Sequence, residues 1–509
     1  MNPASRDLRS AVYMAGLTAA AMIAFQVGAK ATRDAFFLSN FPVAALPAAM
    51  AASSALSVAL AFLSTRLLSR WGPDRVIPAA CAGSALLLLG EWAIAFSSPH
   101  LAAILLYLHY GCLGALLISG FWSLMNERFD PRAAKRALGN ITAAGTVGGL
   151  LGGVIAAQVG RLWPVTAMMP ILAVFHLVSA IAMLGLGRPP SSISTSGRHE
   201  SVRMPADVRA VVRAPYIRGL ILLVLLTTIT EGLLDLILKW RVTALGQGGM
   251  LLQFFAVFYV AVSLLTVIVQ ALASRVALTR LGPARTAALL PAGTAVAAAG
   301  AVLVPGFAPV VAARGIQSVL SNSLYRGGYE VLFTPVAVRE KRAVKALADV
   351  GASRLGDLAA AAIAQAVILA PLANRDHVLL ILAVVFSVLG VIIGLRLHGG
   401  YVQTLARGLV SRVVQLGKDD LDDSLTRLTV LQTLGPEALG QIREWVAAGA
   451  NAPPPLVPAP GDSDAAVYTV ATPAAPQETA AEQRLSALRS SDSGQVLRAL
   501  AEGPPPAHL

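Results

Sequence analysis

The chain has 509 residues, 56% of them hydrophobic and only 13% charged, with a mean hydropathy of +0.68. An average soluble domain is about 25% charged, so this composition excludes a soluble enzyme, a disordered chain and a collagen-like fibre, and indicates a polytopic membrane protein. The formal net charge of +13 is read as the Lys/Arg excess of cytoplasmic loops, with no nucleic acid as partner.

A membrane helix needs roughly 20 apolar residues. Twelve such stretches are expected, at about 10–30, 41–65, 77–97, 101–124, 138–159, 164–186, 217–240, 250–273, 285–304, 307–333, 345–370 and 377–397. They are too long and uniform for barrel strands. The first, after Met1-Asn2-Pro3, is read as a span and not as a cleaved signal. Cys81 and Cys112 sit in apolar runs without metal-ligand spacing and read as small core residues.

Loop charge alternates. Arg66, Arg70 and Arg75 follow the second span, and Arg128, Arg132, Lys135 and Arg136 the fourth. A long Arg-rich loop follows the sixth, Arg275, Arg280 and Arg285 the eighth, and Arg339, Lys341, Arg342 and Lys345 the tenth. The intervening loops are nearly bare, which predicts both termini in the cytoplasm of a cell (inner) membrane protein.

Arg70-Trp71-Gly72-Pro73-Asp74-Arg75 recurs as Arg280-Leu281-Gly282-Pro283-Ala284-Arg285 at a shift of 210, and Arg132-Ala133-Ala134-Lys135 recurs as Arg342-Ala343-Val344-Lys345 at the same shift. Two matches at one offset, in equivalent loops, point to a six-plus-six parallel repeat, the layout of the major facilitator fold. The expected class is an all-α, twelve-helix bundle. Its parts are an N-terminal bundle (1–187), a basic hinge loop (188–216), a C-terminal bundle (217–397), amphipathic helices (398–450), a Pro/Ala-rich linker (451–480) and a short helical tail (481–509). Arg70, Arg75, Arg280 and Arg285 are expected to form a cytoplasmic gate between the bundles.

Charge inside a span costs about 2.5–3.5 kcal/mol on insertion scales, so it marks function or pairing. Lys30, Arg33 and Asp34 close the first apolar run, either as an anion-attracting group at a cavity mouth or as interfacial snorkelling. Glu231, Asp235 and Lys239 share one helical face. Asp235 and Lys239 can pair, which leaves Glu231 without a local partner and points it into the bundle. The tenth span carries Arg314, Gln317, Asn322, Arg326 and Glu330, read as a water-facing stripe with Arg326 paired to Glu330. The eleventh carries Asp349, Arg354 and Asp357, with Arg354 and Asp357 near enough to pair; gate and packing roles both fit. Glu91 is a lone acid, structural or proton-binding. His109 and His176 read as core residues. Gly145, Gly149 and Gly153, with Gly148 and Gly152, give a small-residue face for close helix packing. No catalytic triad, metal cluster or phosphate loop is present in the sequence, so no enzyme activity, metal or cofactor is expected.

Three stretches together resemble the nucleotide transporter (ATP/ADP translocase) family, a relative of the major facilitator superfamily. They are Lys30-Ala31-Thr32-Arg33-Asp34; Arg213-Ala214-Pro215-Tyr216 running into Glu231, Asp235 and Lys239; and Lys345-Ala346-Leu347-Ala348-Asp349 through Arg354-Leu355-Gly356-Asp357. The segment from Phe121-Trp122-Ser123-Leu124 to Arg136 is similar to its bacterial members, of which those with cytoplasmic helical-repeat tails resemble this chain more. The resemblance covers about residues 10–397. It implies exchange of nucleotides such as ATP for ADP, with Lys30, Arg33 and Lys239 meeting phosphates and Glu231 and Asp235 serving coupling. The expected partners are a small anionic solute and the lipid bilayer, with a cytoplasmic partner for the tail left open. Two other readings stay open: a proton-coupled exporter using Glu91, Glu231 or Asp235, and a transporter-like sensor or scaffold whose residues 398–509 recruit a partner.

Overall fold

The computed structural model describes residues 3–128, 131–186, 214–336, 341, 344–415, 456–458 and 468–470. Its helices are α1 (Pro3–Asn40), α2 (Leu46–Trp71), α3 (Pro73–Ser97), α4 (Pro99–Arg128), α5 (Pro131–Leu162), α6 (Met168–Leu184), α7 (Pro215–Thr243), α8 (Gly249–Leu303), α9 (Phe307–Leu320), α10 (Arg326–Leu332), α11 (Ser353–Leu369) and α12 (Arg375–Gln415). Ten helices among the described residues are long and apolar enough to cross a membrane. One of them, α8, is two helices that meet at Gly282, and α9 runs through a π-helical turn (Ser321–Tyr325) into α10 as one continuous segment. Each of the twelve expected apolar stretches therefore has a helical counterpart. A second π-helical turn, Leu347–Ala352, leads into α11.

The repeat seen in the sequence has a backbone counterpart. Gly72 ends α2 at φ 77, and Gly282 breaks α8 at φ 76. Both lie in the left-handed region that only glycine adopts cheaply, and a proline opens the next helix in each case. The two arginine-flanked motifs thus build the same sharp turn between consecutive helices. The Arg132/Arg342 match falls partly outside the described residues, as does most of the expected hinge loop.

Three apolar cores define the architecture of residues 3–401. The largest draws on α1–α9, α11 and α12, and it takes from each the end distant from residues 3 and 401. Residues of both halves meet in it, for example Phe36, Phe37 and Val159 with Leu233, Leu252 and Phe255. At the opposite end the core divides. One cluster (Ala11, Ile77, Leu117, Phe121, Ile141, Met183) belongs to the N-terminal half alone. The other (Ile217, Leu220, Ala287, Leu332, Val344, Leu397) belongs to the C-terminal half alone. The halves are sealed together at one end and separate at the end that carries the termini of this unit.

The glycine face of α5 makes close packing possible. A Cβ on Gly148 would lie 2.0 Å from the Ala20 carbonyl oxygen, and one on Gly152 2.1 Å from that of Ala24. Small residues at this crossing let α5 touch the α1 backbone itself. Gly160 and Gly249 approach as closely between the halves, at the sealed end.

The chain divides into two compact units, Met1–Tyr401 and Val402–Leu509. In the second unit, Leu456–Pro458 pairs antiparallel with Tyr468–Val470, a short ladder inside the segment expected to be plain linker. The expected helices at 416–450 and 481–509 lie outside the described residues.

Candidate functional site

Between the halves lies a cavity of about 980 Å³. The N-terminal half lines it with Gln26, Lys30 and Arg33 of α1, Ser53 and Ser54 of α2, and Tyr107, Tyr110, Ser119, Trp122 and Ser123 of α4. The C-terminal half supplies Glu231 and Asp235 of α7, Arg314 of α9, Arg326 and Glu330 of α10, Lys345, and Arg354 and Asp357 of α11. Of the expected site residues, Lys30, Arg33, Glu231, Asp235, Arg314, Arg326, Glu330 and Arg354 converge on this one space.

The charges are paired in a definite order. Arg33 donates to Asp34 at 2.6 Å. Lys239 Nζ lies 3.0 Å from Asp34 and 2.7 Å from Asp235. Arg314 reaches Asp235 at 3.1 Å and Glu231 at 3.2 Å. Arg314 also donates to Ser318 Oγ at 2.6 Å and to the side-chain oxygen of Gln317. Tyr259 donates its hydroxyl to Asp34 at 2.6 Å. Cations and acids alternate along this chain, and its six charges cancel. The Asp34–Lys239 contact joins α1 to α7, so the network crosses between the halves. Arg33 also lies 4.9 Å from the ring centres of both Tyr107 and Tyr110.

Two further pairs neutralise themselves: Arg354 with Asp357 at 3.1 Å and Lys345 with Glu330 at 2.6 Å. What remains is a surplus of two cations. Lys30 and Arg326 have no ion-pair partner among the described residues. Lys30 instead sits 4.4 Å from the ring centre of Tyr259.

Several expectations are corrected here. The Lys30–Asp34 cluster is not at the outer end of its span, because α1 continues to Asn40; Asp34 is fully buried. Arg326 does not pair with Glu330, since Lys345 takes that carboxylate. Glu231 is not left alone, since Arg314 reaches it from α9. Lys239 is buried beneath the cavity floor and does not line it. Asn322 is outside the lining, its amide turned back onto the Ser318 carbonyl at 2.9 Å. The expected gate residues Arg70, Arg75, Arg280 and Arg285 are exposed beside the two glycine turns, at the end where the halves are separate, and none forms an ion pair among the described residues; this neither bears out nor overturns the gate. His109 and His176 are not lone core residues, nor is Glu91 a lone acid. Glu91 binds His109 at 2.8 Å, and Ser84 bridges the two histidines.

Some lining groups gave no signal in the sequence. Tyr107, Tyr110 and Trp122 lie in a uniformly apolar stretch, where an aromatic at a cavity and one in a core look alike. Ser53 and Ser54 are likewise silent until α2 meets α11, where Ser54 Oγ lies 3.4 Å from Asp357.

No family model and no curated protein matches the chain. Solved structures do. The nucleoside transporter NupG aligns with a TM-score of 0.56 at 12% identity, covering 76% of this chain and 98% of that one. A bacterial homologue of the iron transporter ferroportin, in an inward-facing state, aligns at 0.57 and 12%, covering 78% and 99%. A bacterial metal transporter aligns at 0.53 and 12%, covering 77% and 98%. The chain has the polytopic, all-α membrane fold of these major-facilitator transporters.

Proposed function

We propose that the protein is a secondary transporter that moves an anionic, nucleotide-like solute by alternating access. One observation carries this reading: in a cavity whose other charges are paired, Lys30 and Arg326 are left over. Lys30 is half-buried and Arg326 exposed to the cavity, and a ligand bearing phosphate would supply both with the missing counter-charge through charge-assisted hydrogen bonds. The rings of Tyr110 and Trp122 in the same lining offer flat apolar surfaces to a base. NupG is a nucleoside transporter, whereas the other two neighbours are a metal transporter and a homologue of an iron transporter, so the fold leaves the substrate open. The charge surplus favours an anion.

The division of the cores supports alternating access. The sealed end would open and the open end would close as the two halves rock about the cavity. With the Arg-rich loops in the cytoplasm, the cavity faces inward, both termini are cytoplasmic, and the host is the cell (inner) membrane. ATP-for-ADP exchange is the specific form that the sequence resemblance suggests.

The test is counterflow of labelled ADP in proteoliposomes. ADP and ATP on the far side should accelerate uptake. Lys30→Met and Arg326→Ala should each weaken apparent affinity by about tenfold or more, since a hydrogen bond to a charged group is worth about 1.5–3 kcal/mol. Absence of counterflow with every nucleotide tried would remove the nucleotide claim.

A further inference from the structure

A second polar assembly lies in the N-terminal half, apart from the cavity. Glu91 and Ser84 stand seven residues apart on one face of α3, His109 is on α4 and His176 on α6. Glu91 Oε1 is 2.8 Å from His109 Nδ1. His109 Nε2 is 2.7 Å from Ser84 Oγ, and Ser84 Oγ is 2.8 Å from His176 Nδ1. Glu91 is 5%, Ser84 1% and His176 1% exposed. None of the four lines the cavity. At each end of the chain one buried atom, Glu91 Oε2 or His176 Nε2, has no hydrogen-bond partner.

We propose that Glu91, His109, Ser84 and His176 form a proton-binding relay built into the N-terminal half. A serine hydroxyl has one hydrogen, so Ser84 donates to one ring and must accept from the other. With the carboxylate ionised and both rings neutral, His109 donates Nδ1–H to Glu91 and its Nε2 accepts from Ser84. Ser84 in turn accepts Nδ1–H from His176, whose Nε2 carries a bare lone pair. A proton arriving at that lone pair need not stay there. The His176 Nδ1 proton passes to Ser84, and the Ser84 proton passes to His109 Nε2. One proton has entered, two hydrogen bonds have reversed, and the positive charge now sits on His109 against the Glu91 carboxylate. His176 is neutral again in its other tautomer. A further transfer from His109 Nδ1 to Glu91 carries the charge change to the far end of the chain.

Histidine is the side chain whose charge changes between about pH 5 and pH 8. The titratable groups of the chain face one another. From α3 comes Glu91, from α4 His109, from α6 His176, and α1 presents the Phe25 ring, stacked on His176 at 3.4 Å between centroids. The charged groups of α1 are engaged elsewhere: Arg33 and Asp34 with each other and Lys239, and Lys30 against Tyr259. No other titratable group among the described residues forms a hydrogen bond or ion pair with the relay. Phe25 precedes Gln26, which lines the cavity, so the relay touches the helix that carries Lys30.

The experiment is infrared difference spectroscopy of the full chain in lipid vesicles, stepped from about pH 8 to about pH 5, with isotope-labelled histidine. The wild type should show carboxyl and imidazole bands changing together. Glu91→Gln and His109→Gln should each abolish the paired change. Ser84→Ala alters no charge but cuts the path between the two rings, so it should lose both the His176 tautomer band and the Glu91–His109 change. Ser84→Thr keeps the hydroxyl and should retain both, which guards against misfolding. A spectrum unaffected by Glu91→Gln, or a His176 band unaltered by Ser84→Ala, overturns the relay. The readout uses no transported solute, so an error in the substrate assignment would leave this result standing.

Discussion

Replacing Lys239 by Met is expected to destabilise the fold more than any other single change in the charged network. Lys239 is 1% exposed and is the ammonium shared by Asp34 and Asp235. Asp34 would keep Arg33 and Tyr259, and Asp235 would keep Arg314. Both carboxylates would nevertheless lose a partner where water cannot replace it. Removing one member of a buried pair costs about 3–5 kcal/mol. The apparent melting temperature in lipid nanodiscs should fall steeply. Adding Asp235→Asn to Lys239→Met removes the surplus charge and leaves Arg33 paired with Asp34 and Arg314 with Glu231, so the double variant should be more stable than Lys239→Met alone. A double variant less stable than the single one would contradict the assigned pairing.

The second large effect is expected at the α1–α5 crossing. Gly152→Val places a branched side chain where even a Cβ would lie 2.1 Å from the Ala24 carbonyl oxygen. The obstacle is backbone, so no rotamer change relieves it, and α1 must move away from α5. Overpacking typically costs about 1–3 kcal/mol and occasionally more; a backbone clash belongs at the upper end. Because α1 carries Lys30, Arg33 and Asp34, displacement should lower counterflow as well as the melting temperature. Gly90→Ala and Gly300→Ala are the controls, since nothing lies within 4 Å of a Cβ there. They should be neutral or slightly stabilising, because alanine is the better helix former.

The contrast between what the sequence shows and what it hides has a physical basis. Charge in lipid is expensive, so Lys30, Glu231, Arg314 and Arg354 stand out of apolar runs and can be assigned to a shared interior before any coordinates exist. Pairs within one helix, such as Asp235 with Lys239 and Arg354 with Asp357, follow from helical spacing. The Gly72 and Gly282 turns are legible because the motif around them recurs.

Pairing between distant helices is not legible. Nothing local to Asp34 announces Lys239, and nothing near Glu330 shows that Lys345 outcompetes Arg326. The helical period allows the Arg326–Glu330 contact, but a tertiary partner takes the acid. His176 and Ser84 look like core residues until α3 and α6 are packed side by side. The π-helical turns at Ser321–Tyr325 and Leu347–Ala352 have no residue signature either; such turns are frequent at functional sites, and these lie within segments whose side chains reach the cavity.

The central claim is a vestibule shared by two halves, closed at one end by a joint core and open at the end bearing the termini. Site-specific thiol labelling tests it most directly. Both natural cysteines, Cys81 and Cys112, are buried and can be replaced by Ala. Glu231, 44% exposed and midway along α7, is then changed to Cys. A membrane-impermeant maleimide is applied to sealed vesicles of either orientation. The account predicts that labelling is markedly faster from the membrane face that carries the termini. Labelling from the opposite face alone, or from neither, would contradict it.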